Sequence, residues 1–241
     1  LGDVYKRQRL ARLGYEYLVT HSADRRGIDV ALLYQPETFA LLHSETYRVP
    51  YDSLRERPTR DLLHAAGRLP FGDTLDVFVV HFPSRRGGAT ISEPYRLRAA
   101  GILRHLADSI ARCRHTPRLL AMGDFNDEPH NASVSRVLAP TFAELTSHAT
   151  PLPAEGHDDI EGSYYFRGEW SRIDQILVSP ALLSPTMRFH TPLQSVHLLA
   201  FPPLLEPLGR GTLSKPFRTY LGPFYHGGIS DHLPLCIDFS Y

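Results

Sequence analysis

Apolar runs of four to six residues recur along this chain, and most of them stop abruptly at a polar side chain. "GIDVALLYQP" (27–36) predicts a strand closed by Pro36, and "ETYRVPY" (45–51) a second, shorter one. "LDVFVVHFP" (75–83) and "PRLLAMGDF" (117–125) predict two buried strands, and "LPLCIDF" (233–239) a last one. "SYYFRGEWSRIDQILVS" (163–179) reads as two strands joined near Gly168. The 3.6-residue period appears between 92 and 115, where Ala99, Ile102, Leu106 and Ile110 form one stripe and arginines occupy the other faces. Ser92 is the predicted N-cap there, with Pro94 tolerated in the first turn. "ASVSRVLA" (132–139) predicts a short helix, and "RLARLGYEYLVTHS" (9–22) the end of a helix followed by a strand. Pro and Gly dominate 197–228, which reads as a long surface loop. Short apolar strands with few helices between them favour an α/β fold of two packed sheets with helices outside, in one domain spanning 1–241.

Composition narrows the chemistry only a little. The 241 residues carry 26 basic and 26 acidic side chains, so no bulk field would hold a polyanion, although a local cleft still could. Cys113 and Cys236 are the only cysteines; they lack metal-ligand spacing and are expected to be buried free thiols. No run of 18 apolar residues is present.

The polar residues at the strand ends carry more information. Asp124 and Asn126 follow a buried run and, by strand alternation, share a face that Phe125 opposes. Taken alone, the pair fits an Asx-type turn as well as an active site. His81 ends another apolar run, Asp174 sits in an otherwise apolar strand where Asp is disfavoured, and Asp231 and His232 precede the final strand. Each has a bland reading, as a satisfied core histidine, a surface-face carboxylate or a turn; together they suit hydrolysis of a phosphate ester. Carboxylates suit a hard cation such as Mg²⁺ or Mn²⁺ and can act as a base toward water. An amide orients water or a phosphate oxygen without adding charge, and a histidine held by a buried Asp can donate to a developing oxyanion. No P-loop, GxGxxG or nucleophile elbow supports a rival chemistry.

In the order "VVHFPSR", "GDFND-P", "RIDQILVS" and "SDHLPL", these motifs resemble the endonuclease/exonuclease/phosphatase superfamily over residues 14 to 241. "RRGIDVALLYQP", "HFPSRRGG" and "KPFRTYLGPFYHGGISDH" are most similar to its bacterial deoxyribonuclease-I-like members. The resemblance implies a four-layer α/β/β/α sandwich and a metal-dependent phosphodiesterase or phosphatase, endonuclease-like, that uses direct water attack. It implies Asp124 as the base toward water, Asn126 on water or a phosphate oxygen, and Asp231 on the metal with Asp124 beside it. His232 would bind the scissile phosphate, paired with Asp174; His81 would contact the phosphate and assist the leaving group; Arg26 would be a cleft arginine. Tyr164, Tyr165 and Trp170 line either the rim or the core.

The family's opening strands, which bear an Asn and the principal metal-ligand Glu, have no counterpart in these residues. The expectation is therefore that residues 1–8 are non-native, that a native parent continues upstream, and that this chain by itself binds metal weakly and turns over slowly. A catalytically silent phosphate-binding module and a lipid or inositol phosphate phosphoesterase are the alternatives. A phosphate-ester substrate is the expected partner, nucleic acid among the candidates, with no membrane insertion and a monomeric chain. A nuclease would need cations along its cleft, and Arg85, Arg86, Arg167, Arg172, Arg210, Lys215 and Arg218 are scattered over three loops where solvation is the ordinary reading. The only apolar wedge offered to a lipid is "LLAFPPLLEPL" (198–208), for which a packed loop is the ordinary reading.

Overall fold

A computed structural model describes residues 10–51, 58–153, 159–208 and 213–241. Arg210 and the first eight residues lie outside that set. The chain forms an α/β structure with several sheets and few helices, and its contacts resolve into two compact units, Leu1–Gly123 and Asp124–Tyr241.

In the first unit a helical turn at 10–12 leads into β1 (Glu16–Val19), which pairs antiparallel with β2 (Ala31–Tyr34). A second sheet places β3 (Ala40–Tyr47), β4 (Leu62–Arg68), β5 (Thr74–His81) and β6 (Leu119–Asp124) in that order. The strand expected at 45–51 instead begins at Ala40. Its side chains are mostly exposed, so the alternation that marks a half-buried strand is weak there. β4 was not anticipated at all: "LLHAAGR" is buried at six of seven positions, yet His64 and Gly67 disguise it as a break. Burial of His64 is offset by Asp76, 3.0 Å from its Nε2, and Arg114 holds the same carboxylate at 3.1 and 3.2 Å.

α1 (Ala89–Cys113) starts three residues before the expected cap. Gly88 is its N-cap, and Ser92 lies inside the helix with its hydroxyl donating to the Gly88 carbonyl at 2.7 Å. The buried face is Arg96, Ala99, Ala100, Leu103 and Ala107, rotated from the expected stripe and including an arginine. Arg96 is accommodated because its guanidinium donates to Ser92 Oγ at 2.7 Å and to the Ala89 carbonyl at 3.0 Å. Small alanines along this face let the helix pack closely, whereas Ile102 and Leu106 are only half-buried. Cys113 ends α1 exposed and Cys236 is half-buried; both are free, so the expected burial of the two thiols does not hold.

The second unit opens with Asp124. The short helix expected at 132–139 is present as a π-helical turn at Ser133–Leu138. β7 (Ala143–Glu144) pairs with β11 (Asp174–Val178), and β8 (Thr150–Leu152) runs parallel to β12 (Val196–Leu199). β9 (Tyr164–Phe166) and β10 (Glu169–Ser171) form the hairpin expected around Gly168, but β11 is a separate third strand. α2 (Pro180–Leu183) follows β11. The segment read as a loop from 197 contains strand in every described part. β12 pairs with β17 (Leu235–Ile237), β13 (Leu205–Pro207) with β14 (Ser214–Pro216), and β15 (Tyr220–Leu221) with β16 (Phe224–Tyr225). Proline is tolerated because these are short two-stranded edges. Leu198 and Ala200 are buried, as a packed segment requires, but Phe201 beside them is exposed, as are the apolar side chains of β15 and β16. Among the described residues no helix is long and apolar enough to cross a membrane.

Candidate active site

The chain turns sharply where β6 ends. Gly123 has φ +134°, and a Cβ there would collide with the Val80 carbonyl, so only glycine allows β6 to lie this close to β5. Beyond it Phe125 is fully buried and its amide donates to the Ile173 carbonyl at 2.9 Å. Asn126 takes the left-handed conformation (φ 49°), which Asn tolerates better than most residues. Asp124 Oδ1 accepts the Asn126 backbone amide at 2.7 Å, and its Oδ2 accepts the Asn126 side-chain amide at 3.0 Å. The Asx turn and the candidate site are thus one feature. Asp127, by contrast, is buried on Ser133 Oγ (2.7 Å), while its carbonyl accepts Gln175 Nε2 (2.8 Å), a structural use of the second carboxylate in the motif.

Asp174 opens β11 and is only half-buried. Its Oδ2 accepts two bonds, from Ser163 Oγ at 2.5 Å and from His232 Nδ1 at 2.7 Å. With Nδ1 committed to Asp174, Nε2 makes no hydrogen bond among the described residues. His232 is also bridged to Tyr164 through the backbone, and the two rings lie 4.8 Å apart. Its amide donates to Ser230 Oγ at 3.1 Å. Burial disfavours the charged imidazole, but the bond and charge of Asp174, with the charges of Asp124 and Asp231, outweigh it and raise the pKa to about 9. The second unit therefore gathers Asp124, Asn126, Asp174, Asp231 and His232 into one electrostatic neighbourhood.

Ser163 and Tyr164 are the residues that local sequence reasoning underrated. Ser163 is fully buried, its carbonyl accepts the Leu233 amide at 2.7 Å, and no neighbouring motif marks it. Gly162 precedes it because a Cβ there would press on the Ser171 backbone, 2.5 Å from its carbonyl oxygen. Arg218 then locks the hairpin: its guanidinium lies 5.1 Å from the Tyr164 ring centre and donates to the Tyr165 carbonyl at 2.7 Å. Tyr165 and Trp170 pack edge to face, 5.1 Å apart. Several of the scattered cations prove to be structurally committed. Arg172 binds the carbonyls of Glu161, Thr146 and Ser147, Lys215 pairs with Glu206 at 3.4 Å, and Arg167 covers Phe166.

His81 and Arg26 belong to the first unit. His81 is half-buried at the end of β5. The next residue, Phe82, is buried, and its carbonyl accepts the buried Arg60 guanidinium at 2.5 Å. Arg60 also meets Asp24 at 3.3 Å, and Asp24 holds Arg26 through two side-chain bonds, at 3.2 and 3.0 Å. Burial would raise the Asp24 pKa, yet bonds from Arg26 and Arg60 bring it down to about 2. Arg60 and Asp24, both unassigned from sequence, therefore tie Arg26 to the segment that follows His81.

Among the described residues no group of three or more His, Cys, Asp or Glu side chains is arranged to hold a metal ion. Asp124 and Asp231, whose charges act on His232 together with that of Asp174, suit a hard cation that keeps most of its own water, but not a closed protein cage.

The model of the Endonuclease/Exonuclease/phosphatase family matches residues 1–240, and the chain belongs to that family. No curated protein matches the chain. Among solved structures, an endonuclease/exonuclease/phosphatase from Bacteroides vulgatus is 15% identical, with TM-score 0.66, covering 100% of this chain and 81% of that one. The Bacteroides thetaiotaomicron mannosyl-6-phosphatase is 16% identical, with TM-score 0.63, covering 98% and 80%. D. rerio TDP2, solved with a single-strand DNA product, is 16% identical, with TM-score 0.62, covering 99% and 81%. At these identities the likeness is one of fold.

Proposed function

We propose that the chain is a phosphoester hydrolase that attacks phosphorus directly with water, with phosphodiesters as its first substrate class. The observation that supports this most is the Ser163–Asp174–His232 line, whose ring is held charged beside Asp124 and Asp231. A ring that titrates near 9 is not a base at neutral pH. His232 serves as a cationic donor, its Nε2–H binding a non-bridging phosphate oxygen and stabilising charge as the oxygen–phosphorus bond forms. Asp174 fixes the ring's orientation and Ser163 fixes Asp174. Asp124 accepts the proton of the attacking water while Asn126 restrains its carboxylate. A divalent cation, Mg²⁺ or Mn²⁺, held by Asp231 and Asp124 would neutralise phosphate charge when bound.

The family's name and the mannosyl-6-phosphatase and TDP2 neighbours lend support to phosphate-ester chemistry. Hydrolysis of bis(4-nitrophenyl) phosphate with Mg²⁺, Mn²⁺ or EDTA tests the reading, followed by duplex DNA, RNA, sphingomyelin and inositol phosphates. Metal-stimulated release of nitrophenol that His232→Ala abolishes is the expected result. Binding of phosphate esters without turnover on any of these substrates would reduce the chain to a phosphate-binding module.

A further inference from the structure

The β9–β10 hairpin of the second unit carries aromatic and cationic side chains that the mechanism above leaves unused. Tyr164 and Phe166 lie two positions apart on β9 and therefore share a face. Their rings stack 6.2 Å apart at 18°, and the Tyr164 ring also meets that of His232 at 4.8 Å. The three rings form a strip that starts at His232 and runs out to Phe166, which is 52% exposed. A guanidinium accompanies each of the two aromatic rings: Arg218 lies 5.1 Å from the centre of Tyr164, and Arg167 lies 5.1 Å from the centre of Phe166. Arg218 is held through its bond to the Tyr165 carbonyl, and neither arginine makes an ion pair among the described residues. Arg167 sits in the two-residue turn between Phe166 and Glu169, where both central residues have positive φ, 53° at Arg167 and 96° at Gly168. Asn, Asp or Gly ordinarily fills such a position, so an arginine there accepts backbone strain and keeps a cation over an exposed ring. A single exposed Phe is ordinary on a protein surface, but a stacked strip flanked by two guanidiniums and continuous with His232 is not. Ring faces with cations alongside match a single-stranded polynucleotide, in which each base offers a face to stack and each linking phosphate a charge to meet. A duplex hides its base faces, and a bilayer offers no planar rings. Glu169, in register with Phe166, is the one acid on this hairpin and works against the cationic charge.

We propose that the Tyr164–Phe166 strip, with Arg167 and Arg218, holds the nucleotides next to the scissile phosphate of a single-stranded polynucleotide, bases on the rings and phosphates on the guanidiniums. The proposal names a substrate class for the phosphoester reading above and rests on it, but its binding step can be tested apart from catalysis. Fluorescence anisotropy in EDTA measures binding of a labelled oligothymidylate, of its duplex with oligoadenylate, and of an abasic oligomer carrying the same number of phosphates. The oligothymidylate should bind at least about fivefold tighter than either control. Phe166→Ala should weaken that binding about fivefold or more, and Phe166→Trp should restore it. Arg167→Ala should weaken it and flatten its salt dependence, whereas Glu169→Gln should strengthen it. Phe224→Ala, on the equally exposed β15–β16 hairpin, should leave it unchanged. Phe166, Arg167 and Glu169 are all exposed, so their substitution leaves the core untouched, and thermal unfolding checks this. Equal binding of the abasic oligomer, parental binding by Phe166→Ala, or an equal loss in Phe224→Ala overturns the proposal. Phe166-dependent flotation with phosphatidylcholine vesicles, without oligonucleotide binding, would overturn it in favour of a lipid surface. Failure of the phosphoester reading alone would leave oligothymidylate binding intact and hydrolysis of bis(4-nitrophenyl) phosphate absent; failure of this proposal alone would leave that hydrolysis intact and the preference over the abasic oligomer absent.

Discussion

Replacing Asp174 with Asn tests how His232 is held in its charged form. The substitution preserves shape but removes a full charge and turns an acceptor-only carboxylate into an amide. An ordinary histidine titrates near 6.5 and this one near 9. At 1.36 kcal/mol per unit, the surroundings favour the charged ring by about 3 kcal/mol in net terms. Burial works against that sum, so the attraction that overcomes it is larger still, and Asp174 supplies its two leading contributions. Without the carboxylate charge, Asp124 and Asp231 alone must offset burial. The pKa should therefore fall by two units or more, to near or below the ordinary value. At pH 7 the parent ring would be neutral in about one molecule in a hundred, the variant ring in roughly half or more. Nitrogen-detected NMR titration of the imidazole reads this directly. The sign for stability follows: a raised folded pKa adds stability that is full below about 6.5 and fades as pH climbs through about 9. Thermal unfolding of the parent should therefore weaken on the alkaline side, and Asp174→Asn should remove that slope. A parent ring titrating below 7, or a pKa unmoved by Asp174→Asn, would refute the argument.

Other outcomes can be read in parallel. Asp174→Ala and His232→Ala should each cripple hydrolysis, with the double variant little worse than the poorer single; fully multiplicative losses would show that the residues act separately. Asp124→Ala should lower kcat by about two to four decades with little change in KM, and near-parental turnover would leave Asp124 as a turn former only. Asp24 titrates at about 2 against an ordinary 3.8, so its contribution is complete above about 4 and lost as pH falls through about 2. That depression corresponds to about 2 kcal/mol, and Asp24→Asn should flatten the acid limb of a pH-stability curve by a comparable amount. Gly123→Ala should destabilise the fold by more than the usual ~1 kcal/mol of a point mutation, because both φ and the Val80 carbonyl oppose it; an unchanged melting temperature would contradict that geometry.

Much of the candidate site was legible in one dimension because polar residues at strand ends interrupt apolar runs. A buried strand such as "LLAM" leaves its period visible, and a charged residue directly after it stands out from a pattern that burial otherwise keeps apolar. The Asp174–His232 pair was implied by the family resemblance rather than by spacing, since the partners are 58 positions apart. Local order was less legible wherever burial was achieved by means other than an apolar side chain. β4 hides a buried His64 behind Asp76, and α1 turns Arg96 inward because Ser92 and a backbone carbonyl satisfy it. The proline-rich stretch from 197 looked like loop because backbone pairing at a sheet edge leaves little trace in hydropathy.

By itself the sequence determined the chemical inventory: which acids, amides and histidines are present, and that each lies at one end of an apolar run. Tertiary structure alone decided which neighbours each one meets, and therefore its charge. Ser163 was an anonymous small residue until its hydroxyl came within 2.5 Å of Asp174, and Arg218 was an ordinary loop charge until it came to lie over the Tyr164 ring. Electrostatic energy depends on distance through space and on exclusion of water, and neither quantity is a function of position along a chain.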